Sequence, residues 1–507
     1  MRSARQAAVT AAAATAALAV SSFAASPAQG AANPNNSAKM RQAVTVDGVM
    51  RHLQAFQDIA DANGGNRGAG TSGYEASGRY VEQKLRAAGW TTERQYFPFV
   101  YEQTRSTSLT EISPDARTVE NIPMSYSQPT PVGGVTGQLA APSVATGCVV
   151  GDYAGADLTG KIAVVSRGAG CSFAQKAQVA KSVNASAIII YNNTTGALNG
   201  TLGGIDPTTA PATGVTQAEG QAILAKMARG PVTMRFVLDK TIEERQTFNV
   251  IAETPTGRDD NVVMMGAHLD SVEDGPGIND NGSGTAGVLE TAIQLGKVNK
   301  LNNKVRVAFW GAEELGLLGS TEYVADLQEN DPAELKNIAT YLNFDMIGSP
   351  NYIIGVYDAD QSTYPAPGVV PPGSIETEDV LTDYFDSVKQ PWVDTEFSGR
   401  SDYKAFIDAG IPASGLFTGA DGTKTPAEVE KFGGTAGVIY DPNYHTPADD
   451  ITNVNRRALD IMSDAIAHSA ITLAQSTEKI NGKRSNGKSG KPAKPAPSVL
   501  PEGRTAA

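Results

Sequence analysis

Five apolar segments in the second half of the chain, TFNVIAE, VVMMGAHLD, KVRVAFWGAEE, IATYLNFDMIG and IPASGLFTG, are interleaved with helical patterns such as GTAGVLETAIQLGKV and NRRALDIMSDAIAHSAITLA. Strands that are apolar nearly throughout, rather than at alternate positions, bury both faces. The order therefore predicts an α/β fold whose mainly parallel central sheet is flanked by helices. In open sheets of this kind the reactive groups collect outside the carboxyl ends of the strands. The polar clusters of this chain stand where the apolar runs stop.

A chain of 507 residues exceeds what one core usually serves, so a second domain or a large insertion is expected. From about Val46 to Pro98 the pattern reads helix, Gly-rich loop, helix and strand. From Met124 to Lys240 the texture changes to short Val- and Ile-rich runs, KIAVVSRG and AIIIYN, around one helical segment, FAQKAQVAKSVNA. We read this as a smaller β-rich unit (124–240) inserted between the two parts of a larger domain (40–123 and 241–477).

At the N-terminus Arg2 and Arg5 precede an Ala-rich apolar stretch through Phe23 and the small residues of SPAQGAA. Residues 1–30 are thus expected to be a cleavable secretory signal, too short to span a membrane, and no later run is long enough to do so. A secreted, extracellular protein suits the two cysteines, Cys148 and Cys171, which either pair as one disulfide or remain free thiols. Forty-one basic against fifty-four acidic residues argue against a nucleic-acid partner. Residues 478–507, rich in Lys, Gly and Pro, are expected to form a disordered basic tail. Within it Gly482–Ser489 matches a phosphate-loop pattern letter for letter, but no strand precedes it and Pro492 and Pro495 follow, so the match is set aside.

The ends of the apolar runs supply His268 and Asp270, then Asp280 in GINDNGSG, Glu313 and Glu314, and Asp345; His445 arrives from far downstream in DPNYHTPADD. Nitrogen and oxygen donors without thiolate suit a catalytic zinc site, and the surplus of carboxylates suits two ions sharing a bridge. One residue separates His268 from Asp270, so in extended backbone the two face the same way and the carboxylate is expected to orient the imidazole. The GAEELGLLGS segment has the look of a helix N-terminus, where carboxylates are favoured in any case.

Taken in order, GAHLDSV, the Asp280 loop, FWGAEELGLLGS, NFDMIG, YHT and GRSDYKAFIDAGIPASGLFTGA resemble the M28 zinc aminopeptidases, close to the secreted leucine-type enzymes of actinobacteria. The likeness extends over most of Val46 to Gln475. The middle block, with GCVVGDYAGADLTGKIAVVSRGAGCSFAQKA, looks like the protease-associated (PA) domain that some members carry as an insertion. The resemblance implies a zinc exopeptidase fold and two zinc ions per chain. His268 and Asp345 would hold one ion, Glu314 and His445 the other, and Asp280 would bridge. Glu313 would be the general base, Asp270 the orienter of His268, and Tyr444 a hydrogen-bond donor to the oxyanion. Arg400 and Phe417 would line the substrate site.

On this reading the substrates are peptide or protein N-termini, with a large apolar first residue, and the enzyme is a monomer. Spare carboxylate near the ions favours a free α-ammonium, whereas Arg400 would suit a terminal carboxylate. Two other readings stay open: a zinc carboxypeptidase or amino-acid deacylase on the same scaffold, and a receptor-like protein that has lost catalysis.

Overall fold

A computed structural model describes residues 33–168 and 170–483. The expected signal at 1–30, and the expected tail from 484 onward, lie outside the described residues.

Across the larger half the strands run in the order Val393–Thr395, Gly355–Tyr357, Ala413–Phe417, Ile338–Asp345, Arg258–His268, Asn303–Trp310, Thr233–Glu253 and Thr91–Ser113. The four central ones, from Ala413–Phe417 to Asn303–Trp310, are parallel. Their sequence explains why both faces are covered. Along Arg258–His268, Val263, Met265 and Ala267 enter one core while Met264 enters the other, and all four are buried. The first core is closed by the helices Val46–Ala62, Ser72–Ala87, Gly284–Leu295 and Arg456–Gln475; the second by Leu318–Asn330 and Tyr403–Asp408. Each fully buried Val, Met or Phe on these strands contributes about 1.5–3 kcal/mol relative to exposure. The helix starts carry their own signals. Thr45 accepts from the Gly48 amide at 3.1 Å, and Asn455 accepts from the Arg457 and Ala458 amides at 3.0 and 3.2 Å.

The strands Thr91–Ser113 and Thr233–Glu253 pair antiparallel along their whole length, from Thr91 opposite Glu253 to Ser113 opposite Thr233. One end of this ribbon belongs to the larger sheet. The other pairs with Val135–Ala140 and leads into the strands Ile162–Ser166, Ala187–Tyr191 and Ala212–Val215, which are mutually parallel. The two modules thus share one hydrogen-bonded sheet but keep separate cores. The apolar patterns TTERQYFPF and TFNVIAE mark only the inner ends of the ribbon. Its middle, where Phe99–Thr104 face Lys240–Arg245, mixes exposed and half-buried polar residues with the buried rings of Phe99 and Tyr101, which pack in a small cluster of their own.

Cys148 and Cys171 are disulfide-bonded, with Cα atoms 5.8 Å apart. The chain is ordered beyond the expected start of the tail at 478. Glu478–Asn481 forms a helical turn that buries Ile480, and the Asn481 side chain donates to Asn261 Oδ1 at 2.7 Å. One apolar residue and one asparagine suffice to dock this turn, although the segment's composition reads as a solvated tail. Among the described residues no helix is long and apolar enough to cross a membrane.

Candidate metal centre and active site

The carboxyl ends of the central strands lie level. His268 stands opposite Trp310 and Asp345 opposite Phe417. The loop that carries Asp280 is strapped to this edge from three sides. Gly277 turns the chain in a left-handed conformation (φ 61°). The Asp449 carboxylate accepts from the Asn279 and Asp280 amides, both at 2.9 Å. The Asn281 side chain donates to the Phe344 carbonyl at 2.9 Å and accepts from the Gly284 and Met346 amides. At Gly284 a Cβ would sit 2.1 Å from the Phe344 carbonyl oxygen, so only glycine lets the next helix start this close to the Asp345 strand.

Glu313 and Glu314 occupy a turn rather than a helix N-terminus, since the helix begins only at Leu318. The turn is closed by the Gly316 and Leu317 amides on the Glu313 carbonyl, both at 2.8 Å. It is held to the His268 strand by Asp270, whose carboxylate accepts from the Glu313 and Glu314 amides at 3.2 and 3.3 Å. That contact adds to the expected part of Asp270. His268 Nδ1 lies 3.1 Å from the Asp270 backbone carbonyl but 3.7 Å from its carboxylate. The carbonyl is thus the nearer group to the ring, with the carboxylate beside it.

All five expected ligand residues converge. His268 Nε2 lies 3.2 Å from Asp280 Oδ1 and 3.4 Å from Asp345 Oδ1. His445 Nε2 lies 3.0 Å from both Asp280 Oδ2 and Glu314 Oε2. Asp280 therefore presents one oxygen to each half of the group. Glu313 Oε2 stands 3.8 Å from His268 Nε2, and atoms of His268, Asp280 and Glu314, or of His268, Glu313 and Asp345, fall within 4.8 Å of one another.

The donor set fits a divalent metal. Glu314 Oε1 and Asp345 Oδ1 are buried without a hydrogen-bond partner, and a carboxylate left so is costly. Burial first, then the charges of Asp402, Asp345 and Glu314, raises Glu313 well above the carboxylate range. Burial and then Asp280 raise Glu314 to about 7. Burial works against charge on His445, but its bonds to Asp280 and Glu314 outweigh this and lift it to about 10. The protein's own cations do not suffice to keep these carboxylates ionised together, and mixed imidazole and carboxylate ligation suits zinc.

A cleft of about 250 Å³ opens beside this group. Phe417 lines it, together with Tyr357, which stacks on Phe417 with centroids 6.5 Å apart. Tyr444 lies over His445 at 3.8 Å. Arg400 also lines the cleft, but its guanidinium is engaged by Asp421 at 3.1 and 3.4 Å and stands 3.5 Å from the Tyr444 hydroxyl. Three supporting residues escaped the sequence reading. Ser401 donates to Asp345 Oδ2 at 2.6 Å, leaving Oδ1 for the centre. Asp449 pins the Asp280 loop. Arg67, fully buried, bonds the carbonyls of Leu269, Pro276 and Gly277. Asp449, in the acidic run PADD, offered a signal; Arg67, in a Gly-rich loop, offered none.

Residues 249–470 match peptidase family M28, and residues 135–223 match the PA domain. Leucine aminopeptidase 2 of Trichophyton tonsurans is 40% identical over 452 residues, covering 89% of this chain and 88% of the relative. Among solved structures, an aminopeptidase from Aneurinibacillus sp. strain AM-1 superposes with a TM-score of 0.64 at 29% identity, covering 86% of this chain and 95% of that one. A zinc aminopeptidase from Bacillus subtilis gives a TM-score of 0.58 at 25% identity, covering 85% and 96%. With identity of this degree along nearly the whole length of a relative, and with the six motifs gathered at one sheet edge, the chain belongs to peptidase family M28 and carries an inserted PA domain.

Proposed function

We propose that this protein is a secreted dinuclear zinc aminopeptidase that removes N-terminal residues, large apolar ones among them, from peptides. The observation that carries the reading is the position of Asp280, with one carboxylate oxygen 3.2 Å from His268 and the other 3.0 Å from His445. That is the arrangement two ions sharing a bridging ligand require. His268 and Asp345 would hold one ion, Glu314 and His445 the other. The zinc aminopeptidase of Bacillus subtilis and the leucine aminopeptidase of Trichophyton tonsurans support the metal and the substrate class by their likeness.

Zinc bound there would lower the pKa of a shared water and polarise the scissile carbonyl. Glu313, buried and aligned by the Asp270 contact to its amide, would take a proton from the attacking water and return it to the leaving amine. Tyr444 offers its hydroxyl to the oxyanion. Ser401 and Asp270 position Asp345 and the Glu313–Glu314 turn. Because Asp421 neutralises Arg400, no free Lys or Arg among the described residues lining the cleft awaits a terminal carboxylate, and the carboxylate-rich cleft favours an α-ammonium; this favours an aminopeptidase over a carboxypeptidase.

The test is hydrolysis of leucine p-nitroanilide before and after chelation, with zinc added back and bound zinc counted. Turnover that chelation abolishes and about two equivalents of zinc restore is expected, with an N-acetylated peptide left intact. Turnover insensitive to chelation, or release of the first residue from the acetylated peptide, overturns the reading.

A further inference from the structure

The cleft wall contains one carboxylate to which the mechanism gives no part. Beyond the metal-side residues, two acidic side chains line the cleft, Glu396 and Asp421. Asp421 is neutralised by Arg400. Glu396 is exposed and forms no ion pair with the described residues. The sheet register fixes where it stands. Phe417 lies opposite Gly355, and two residues along that strand Tyr357 lies opposite Thr395, so Glu396 is the first residue past the strand end beside Tyr357. The Tyr357 ring is flanked by Phe417 at 6.5 Å and Phe397 at 5.2 Å, in both cases nearly parallel. Two stacked rings, Phe417 and Tyr357, thus line the same cleft as the exposed carboxylate of Glu396.

We propose that Glu396 is a specificity-determining residue for a cationic first side chain, lysine or arginine, whose methylenes lie along Phe417 and Tyr357 and whose charged head meets the carboxylate. Long cationic side chains lay their stems on apolar surface while the head stays in water, and this wall offers both. The assignment rests on the aminopeptidase reading and narrows its substrate class: the cleft takes leucine, and takes lysine better than an uncharged chain of equal length. Glu396 is solvated, so the preference is modest and salt-sensitive, about fivefold at low ionic strength.

The experiment compares kcat/KM for the p-nitroanilides of lysine and norleucine in the zinc-loaded wild type, Glu396→Gln and Glu396→Asp. The lysine-to-norleucine ratio is expected to fall about fivefold in Glu396→Gln, to persist in Glu396→Asp, and to decline in the wild type as salt is raised. Using the ratio removes any general loss of activity in a variant. Turnover with the same ratio in wild type and Glu396→Gln overturns the role of Glu396 alone. No turnover on either substrate, nor on the leucine compound, overturns the aminopeptidase reading and this inference with it.

Discussion

Glu313 and Glu314 are neighbours in sequence, yet only Glu314 reaches His445, while Glu313 lies beside His268. The division predicts two different losses. Glu313→Gln keeps the shape of the turn and the contact of Asp270 to its amide, so the variant should retain its zinc while kcat falls by roughly 10²–10⁴. Glu314→Gln removes a charged ligand and should show zinc stoichiometry near one per chain at limiting metal. Zinc content and single-substrate kinetics on both variants check this. A Glu313→Gln protein with wild-type kcat would end the general-base assignment. Most of this residue-level detail was legible in the sequence because four of the five expected ligands stand at or just past strand ends or in the Gly- and Asn-rich Asp280 loop, while His445 was legible only through the YHT motif. The second contact of the Asp270 carboxylate was not. Its spacing from His268 is compatible with a bond to the ring, and only the tertiary turn of Glu313 and Glu314 shows that two backbone amides use it as well.

Helices and strands with strong periodicity or uniform apolarity, such as Gly284–Leu295 and Arg258–His268, were also readable. The elements hidden from view are those whose sequences are polar because they run through solvent, as in the ribbon, or short because tertiary contacts hold them. The helix Ser37–Ala43 is of the second kind. It packs against the terminal helix Arg456–Gln475, and Ser37 Oγ meets His468 Nδ1 at 2.7 Å while Tyr384 stacks on the same imidazole at 4.6 Å. Burial, then the charge of Arg41, lowers His468 to about 4 from an ordinary 6.5. The unfolded chain therefore takes up a proton here at a higher pH than the folded one. The stability that His468 contributes is complete above about pH 6.5 and drains away as pH falls towards 4. Denaturant titrations of wild type and His468→Gln at pH 7.5 and 4.5 should differ in their loss on acidification by about 2 kcal/mol, the full shift being discounted for the partial exposure of the ring. Equal losses in the two proteins would show that the helix docks without this pH linkage.

At the scale of the whole molecule the two modules are joined by a ladder of hydrogen bonds with two register shifts but divided in their cores, and among the described residues the cleft is lined by those between His268 and Tyr444. Among the described residues the inserted module contributes no side chain to the cleft, so its stability and the peptidase activity should be separable. The disulfide lies within that module and joins residues 23 apart. Closing a loop of this size constrains the unfolded chain by about 3 kcal/mol. For a domain of roughly a hundred residues such a loss corresponds to a melting point lower by roughly 10 °C or more. Replacing both cysteines, Cys148→Ser with Cys171→Ser, should therefore split calorimetric unfolding into an early transition of the inserted module and a later one of the peptidase. Below the first transition kcat/KM should stay within about twofold of the wild type. The competing outcome is a single cooperative transition, shifted downward as a whole, with activity lost in step. That would mean that the two long strands Thr91–Ser113 and Thr233–Glu253 transmit stability from one core to the other and that the modules fold as one unit. The ribbon's composition argues for the first outcome. The apolar residues of its middle, Phe99 and Tyr101, pack in a small cluster separate from both the peptidase core and the cores of the inserted module, so melting the outer end exposes little of the core behind the Asp345 strand.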